Sequence, residues 1–258
     1  MPTTLAQPER LARRTLAAAT CCLVLGGGCV GWGGGGGAVA LRDELEELAP
    51  TDAGTYELVG TERDSRTKEV RRVAETYEVQ PWFERSGHKR QITEVRYQDG
   101  ASRTWETVFE ADGAYRLRET AGASSWEWDP PLLSVGAPLR RGRVWFAESR
   151  ALLPDVSGMR RATHIFSRSE VVGTATVSVG DTRVFCFVIE GETTTTVTNT
   201  QRADQTRSSY VNRTEARTWF SPRHMQAVRA WSTTAVQSGT LEEPEEYELV
   251  RRVELERL

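Results

Sequence analysis

The stretch RVFCFVIEGETTTTVTNT, Arg183–Thr200, changes character halfway along. From Val184 to Ile189 every residue is apolar, so an extended segment here buries both faces and reads as the most buried strand of the chain. From Glu192 to Thr200 the segment stays β-branched but turns polar, which continues the strand with a wet face. A threonine run in this setting is a strand, not a binding code.

The neighbouring segments keep a period of two. Val171, Ala175, Val177 and Val179 share one face of a preceding strand, and Val179-Gly180-Asp181 is a turn signal between the two. Downstream come a polar loop TQRADQTRSS, a strand through Trp219, a PRHM turn and a strand through Trp231. An acidic loop SGTLEEPEE then leads to a last strand on which Tyr247, Leu249, Val253 and Leu255 alternate with charge. Upstream, Tyr56 and Leu58, then Val73, Tyr77 and Val79, then Val95 and Tyr97 alternate with polar residues. Asp-Gly pairs at 99–100 and 112–113 sit at hairpin spacing. Between the halves, DPPLLSVGAPLRRGRVW carries Pro130, Pro131 and Pro138, which deny a ladder its donors and read as a connection across the domain. One short helix is expected in LRDELEELA, where Leu41, Leu45 and Leu48 recur at helical spacing before Pro50. The prediction is a mainly β domain over 41–258, an antiparallel wrapped sheet of about ten strands with that helix at its N-terminus.

Arg103-Thr104-Trp105 and Arg217-Thr218-Trp219 each lie on a strand before a turn and a returning strand. The echo suggests two related meander halves, 50–129 and 143–258.

The N-terminus gives the protein its address. Arg10, Arg13 and Arg14 precede an apolar run from about Leu16 to Val30, the layout of a secretory signal over 1–28 and too short to span a bilayer comfortably. Leu25-Gly-Gly-Gly-Cys29 resembles a bacterial lipobox, with leucine one place further back than usual, and marks Cys29 as the lipid attachment site. The glycine-rich segment 29–40 fits a flexible tether. A rival cut follows Ala38-Val39-Ala40 and would release a soluble domain from Leu41, and an uncleaved anchor is the third alternative. The expected location is the bacterial cell envelope, extracytoplasmic and held to the membrane through the N-terminal lipid.

Residues elsewhere resemble a group of uncharacterised bacterial envelope lipoproteins. The likeness is carried by GTYEL from Gly54, by PPLLSVGAPLRRGRVW ending on Trp145, and by RTWFSPRHMQAVRA. Ser221 and Pro222 match that group's last motif, while Arg223 to Gln226 depart from its usual glycine-containing turn. The resemblance implies a curved antiparallel half-barrel similar to lipoprotein carriers and lipid-binding lipoproteins, holding acyl chains on its concave face. It brings no catalytic residue with it.

Composition narrows the partners. The chain carries a formal charge of -3, and its arginines alternate with acids along the same segments, so no basic stripe for nucleic acid forms. Cys186 has no intrachain partner once Cys21 and Cys22 are removed and Cys29 is lipidated, and reads as a small buried hydrophobe. There is no G-x-S-x-G. His88, His164 and His224 do not pair at ligand spacing, and the acids at 43–47 and 242–246 lack a calcium-motif pattern. No metal, cofactor or catalytic activity is expected. The remaining candidates are aromatic: the tryptophans either form the core or, with Trp105, Phe109, Trp219 and Trp231, line an apolar groove. The leading expectation is a non-catalytic, lipid-anchored binder of apolar or acyl ligands. The alternative is a protein-interaction or structural subunit of an envelope assembly.

Overall fold

The computed structural model describes residues 44–45, 53–110, 115–122, 124–156, 159–201, 207–239 and 244–257. Among them the chain forms fifteen strands and no helix. These are β1 (Glu44–Leu45), β2 (Gly54–Asp64), β3 (Val70–Val79), β4 (Phe83–Arg85), β5 (His88–Tyr97), β6 (Ser102–Phe109), β7 (Tyr115–Ala121) and β8 (Ser124–Leu133). They continue with β9 (Leu139–Arg140), β10 (Val144–Val156), β11 (Met159–Val179), β12 (Thr182–Gln201), β13 (Arg207–Ser221), β14 (Gln226–Gly239) and β15 (Pro244–Arg257).

The main sheet closes on itself, which corrects the expected half-barrel. Its order runs β3-β2-β15-β14-β13-β12-β11-β10-β8-β7-β6-β5, and β3 then pairs antiparallel with β5 from Glu75↔Tyr97 to Val79↔Thr93. Twelve strands complete the ring, and β4 is a short addition beside β5. A twisted sheet beyond about ten strands tends to curl, and closure satisfies both of its edges.

The expected hairpin turns fall where Gly100 and Gly180 take positive φ, at 80° and 54°, and PRHM turns β13 into β14. The second Asp-Gly pair, at 112–113, lies outside the described residues. The helix expected over 41–49 is not what the described part of it forms. Glu44–Leu45 is extended and pairs with Leu139–Arg140, and the rest of the segment lies outside the described residues. A nine-residue helix has little stability of its own, so a strand edge nearby outcompetes it. The proline-rich connection also begins later than expected, because β8 runs on to Leu133. The β7–β8 register jumps from Arg118↔Glu127 to Arg116↔Leu132, so Pro130 and Pro131 occupy a stretch from which β7 asks no donor.

One end of the barrel is filled. A bulge between Val171 and Gly173 bends the β11–β12 hairpin. Beyond it Val177, Val179, Val184 and Cys186 pack with Tyr56, Leu58, Val73 and Val253, on strands that are not neighbours of β11 or β12 in the sheet. On the other face Phe187 and Ile189 pack with Val135, Leu139, Trp145, Phe220 and Met225. Val184–Ile189 is thus enclosed on both sides, as its composition predicts, and each large apolar side chain so buried contributes about 1.5–3 kcal/mol relative to exposure. The segment after β8 acts as a plug at this end. Gly136 lies so close to Trp145 that a Cβ would sit 2.5 Å from the indole, and only glycine fits.

Candidate ligand-binding cavity

A ring of about eight strands is just filled by its own side chains, so twelve leave space unless something occupies it. Here the plug and the folded hairpin fill one end, and a cavity of about 170 Å³ remains along the lumen. Even a 150 Å³ apolar cavity can accept a benzene-sized molecule. The lining follows the period of two along three long strands. It takes Arg161, Thr163, Ile165, Ser167 and Ser169 from β11, Ile189, Gly191, Thr193, Thr195 and Val197 from β12, and every second residue of β13 from Tyr210 to Phe220.

The two sides of the lumen differ chemically. On β11–β13 the cross-strand partners Ser167, Thr193 and Thr214 form a hydroxyl band. Short side chains keep the space clear, and Gly191 adds none at all. On β6–β8 the lining is aromatic: Trp105 and Trp126 stack with centroids 5.8 Å apart and planes 21° from parallel, and Trp128 lies beside them. Ile165, Leu132, Ala147 and Ala151 pack against Trp128.

A buried polar network holds the aromatic side in place. Arg116 Nη1 donates to Glu119 Oε1 at 2.9 Å, Trp128 Nε1 donates to Glu119 Oε2 at 3.1 Å, and Arg116 Nε donates to Ser134 Oγ at 2.6 Å. On a regular strand residues three apart point to opposite faces; the register shift between Arg116 and Arg118 brings this pair to one side. Two cavity-lining residues carry buried polar atoms with no partner among the described residues, Trp105 Nε1 and Asn212 Oδ1. Trp105 is 7% exposed and Asn212 6%. A donor and an acceptor left unmatched at such depth each cost about 1–3 kcal/mol unless a guest or ordered water meets them.

At the end of the lumen away from the plug, Arg161 Nε donates to Asn199 Oδ1 at 2.9 Å. Tyr210 lines the cavity on the next rung. Burial pushes its phenol up from the ordinary range, partly opposed by the nearby Arg161 charge.

The four aromatic residues expected to form a groove do not line one cavity. Trp105 faces the lumen. Phe109 is buried at the end of β6 opposite Arg116, but is not part of the lining. Trp219 alternates with the lining residues Thr218 and Phe220, so it lies on the other face of β13, edge-on to Trp231 at 4.9 Å. Trp231 is exposed under Arg252, whose guanidinium lies 5.5 Å from the ring centroid. The two Arg-Thr-Trp triplets therefore present their tryptophans to opposite sides of the barrel wall. Nothing local in the sequence marks Arg116, Glu119, Arg161, Tyr210 or Asn212 as lining residues; of the four expected residues, Trp105 alone lies on this wall. Cys29 lies outside the described residues. His164 pairs with Glu148 at 3.0 Å on the exposed surface, and among the described residues no group of three His, Cys, Asp or Glu could hold a metal ion.

No protein family matches the sequence, and no curated protein does. Solved structures similar in outline include two from bacteria. A candidate exported protein with YmcC-like fold from Bacteroides fragilis aligns with a TM-score of 0.41 and 12% identity, over 81% of this chain and 96% of its own. The hypothetical lipoprotein YmcC from Escherichia coli aligns with a TM-score of 0.30 and 13% identity, over 76% of this chain and 83% of its own. Neither likeness transfers a function to this chain.

Proposed function

We propose that this protein is a non-catalytic, lipid-anchored envelope protein that binds a small, largely apolar molecule inside its barrel. The observation that carries the reading is the lumen itself, tryptophan-walled and lined by the unmatched Trp105 Nε1 and Asn212 Oδ1. Pockets of this kind, apolar with a few converging polar groups, are the common form of small-molecule sites. The anchor rests on the lipobox-like run ending at Cys29 and the glycine-rich spacer behind it.

Native mass spectrometry of the protein extracted from its own membrane tests both parts. The expected result is an N-terminus at diacylated Cys29 and a non-covalent mass on the intact barrel. A chain starting at Leu41 without lipid would remove the anchor, and an empty barrel would remove the ligand. In that second event the interaction-subunit reading gains weight, because Phe146, Leu152 and Phe166 stand 60%, 66% and 46% exposed on the outer face of β10 and β11. Exposed apolar groups gathered on one face are a feature of docking surfaces.

A further inference from the structure

Resting on the lumen as the binding site, we infer that its occupant is an amphipathic anion, with an oxyanionic head group at Arg161 and Tyr210 and an apolar body against the tryptophan wall.

The charge balance of the lining argues for it. Among the described residues the cavity is lined by three charged side chains, Arg116, Glu119 and Arg161. The first two neutralise each other, and the Glu119 carboxylate is further held by Trp128. Arg161 is left as the uncompensated cation. Its Nε is held by Asn199, which fixes the plane of the guanidinium, and no carboxylate lies within ion-pair distance of it among the described residues. A fixed guanidinium with its terminal nitrogens available matches the two oxygens of a carboxylate or phosphate. Tyr210 stands on the same face one rung along, since Val197 pairs with both Thr163 and Tyr210. Burial keeps its phenol protonated at neutral pH, so it can donate a second hydrogen bond to the same head.

Polarity along the lumen then orients the guest. Arg161 and Tyr210 are half-buried near the rim where β11 and β13 begin, at Met159 and Arg207. Two same-face positions further in, Ile165 already packs with the Trp128 cluster, and Ile189 and Phe220 close the far end. A charged head pushed to that far end would be desolvated without a partner, while an apolar tail left at the rim would stay in water. Only one direction of entry satisfies both ends of such a molecule.

The test uses the purified full chain and four eight-carbon probes: octanoate, monooctyl phosphate, octan-1-ol and octylamine. Binding is read by calorimetry and by tryptophan fluorescence at pH 7.5. At least one of the two anions is expected to bind ten times more tightly than the alcohol, and the amine more weakly than the alcohol. Which anion leads distinguishes a carboxylate guest from a phosphate one. Arg161→Gln is expected to bring that anion to about the level of the alcohol while weakening the alcohol by a much smaller factor. Tyr210→Phe, which keeps the ring, is expected to weaken the anion alone by a smaller factor. If the alcohol binds as tightly as both anions, or if Arg161→Gln weakens all probes alike, the anionic head is wrong although the lumen stands. If no probe binds the folded protein, the lumen reading fails and takes this inference with it.

Discussion

The same three strands, β11, β12 and β13, build a solid end and a hollow end of one barrel. At the solid end their lumen-face residues are Val171, Phe187 and Phe220, all at most 2% exposed. At the hollow end the corresponding lumen positions are Ser167, Thr193, Thr195 and Thr214, half-buried around open volume. Backbone pairing runs unbroken through both along β12 and β13. Side-chain volume and polarity on one face therefore decide where the barrel is a core and where it is a container. Threonine suits the second role because its β-branch favours a strand while its small size leaves room.

Substitutions can break that contrast. The largest effect is expected from Phe187→Ala, about 4 kcal/mol lost in a urea melt, because a fully buried ring leaves a cavity its neighbours cannot close. Thr193→Ala is expected to cost less than about 1 kcal/mol. Equal costs at the two positions would erase the distinction between the ends.

Arg116→Leu comes next, at about 3 kcal/mol, because it strands the Glu119 carboxylate in a buried site. Replacing both partners by apolar residues is expected to recover most of that loss, a double-mutant result that separates the pair from simple packing.

Cys186 sharpens the contrast through pH. Burial pushes its thiol up to about 12, with Arg229 pulling slightly the other way. The folded state thus holds the proton more tightly than the unfolded one, whose thiol titrates near 9. Its contribution is complete below about pH 9 and is lost between about 9 and 12. Cys186→Ala is expected to flatten the decline in stability over that window, measured by melts at successive pH values. Identical slopes for the two proteins would show the site to be wetter than described.

Filling the hollow end should cost little stability. Thr193→Phe is expected to weaken octan-1-ol binding at least tenfold, about 1.4 kcal/mol, with little change in melting temperature. A packed lumen would instead lose about 1–3 kcal/mol through overpacking. The smallest effect belongs to the outer wall, where Arg217→Ala breaks an exposed pair with Glu190 and is expected to change stability by at most about 1 kcal/mol.

Strands, turns and the doubly buried segment were legible in the sequence because each is a local signal. The period of two marks a strand, Gly180 marks its turn, and an unbroken apolar run marks burial on both faces. Closure was not legible. It depends on Glu75–Val79 meeting Thr93–Tyr97, and nothing local in either segment distinguishes that pairing from an exposed edge. The faces of the tryptophans were lost for the same reason. Alternation shows that Trp219 and Thr218 point apart, but not which of them points into the barrel. The Arg116–Glu119 pair was hidden by a bulge, since regular alternation places residues three apart on opposite faces. Solvent-wet and lumen-facing threonines look alike in one dimension, so the hollow end read as an ordinary wet face.

The most direct test of the hollow end is a high-resolution crystal structure of the protein purified without stripping its ligand. Electron density for a guest is expected between the β6–β8 tryptophans and the β11–β13 hydroxyl band, within hydrogen-bond distance of Trp105 Nε1 or Asn212 Oδ1. A lumen closed by the protein's own side chains, with those two atoms bonded to each other or to neighbours, would contradict it.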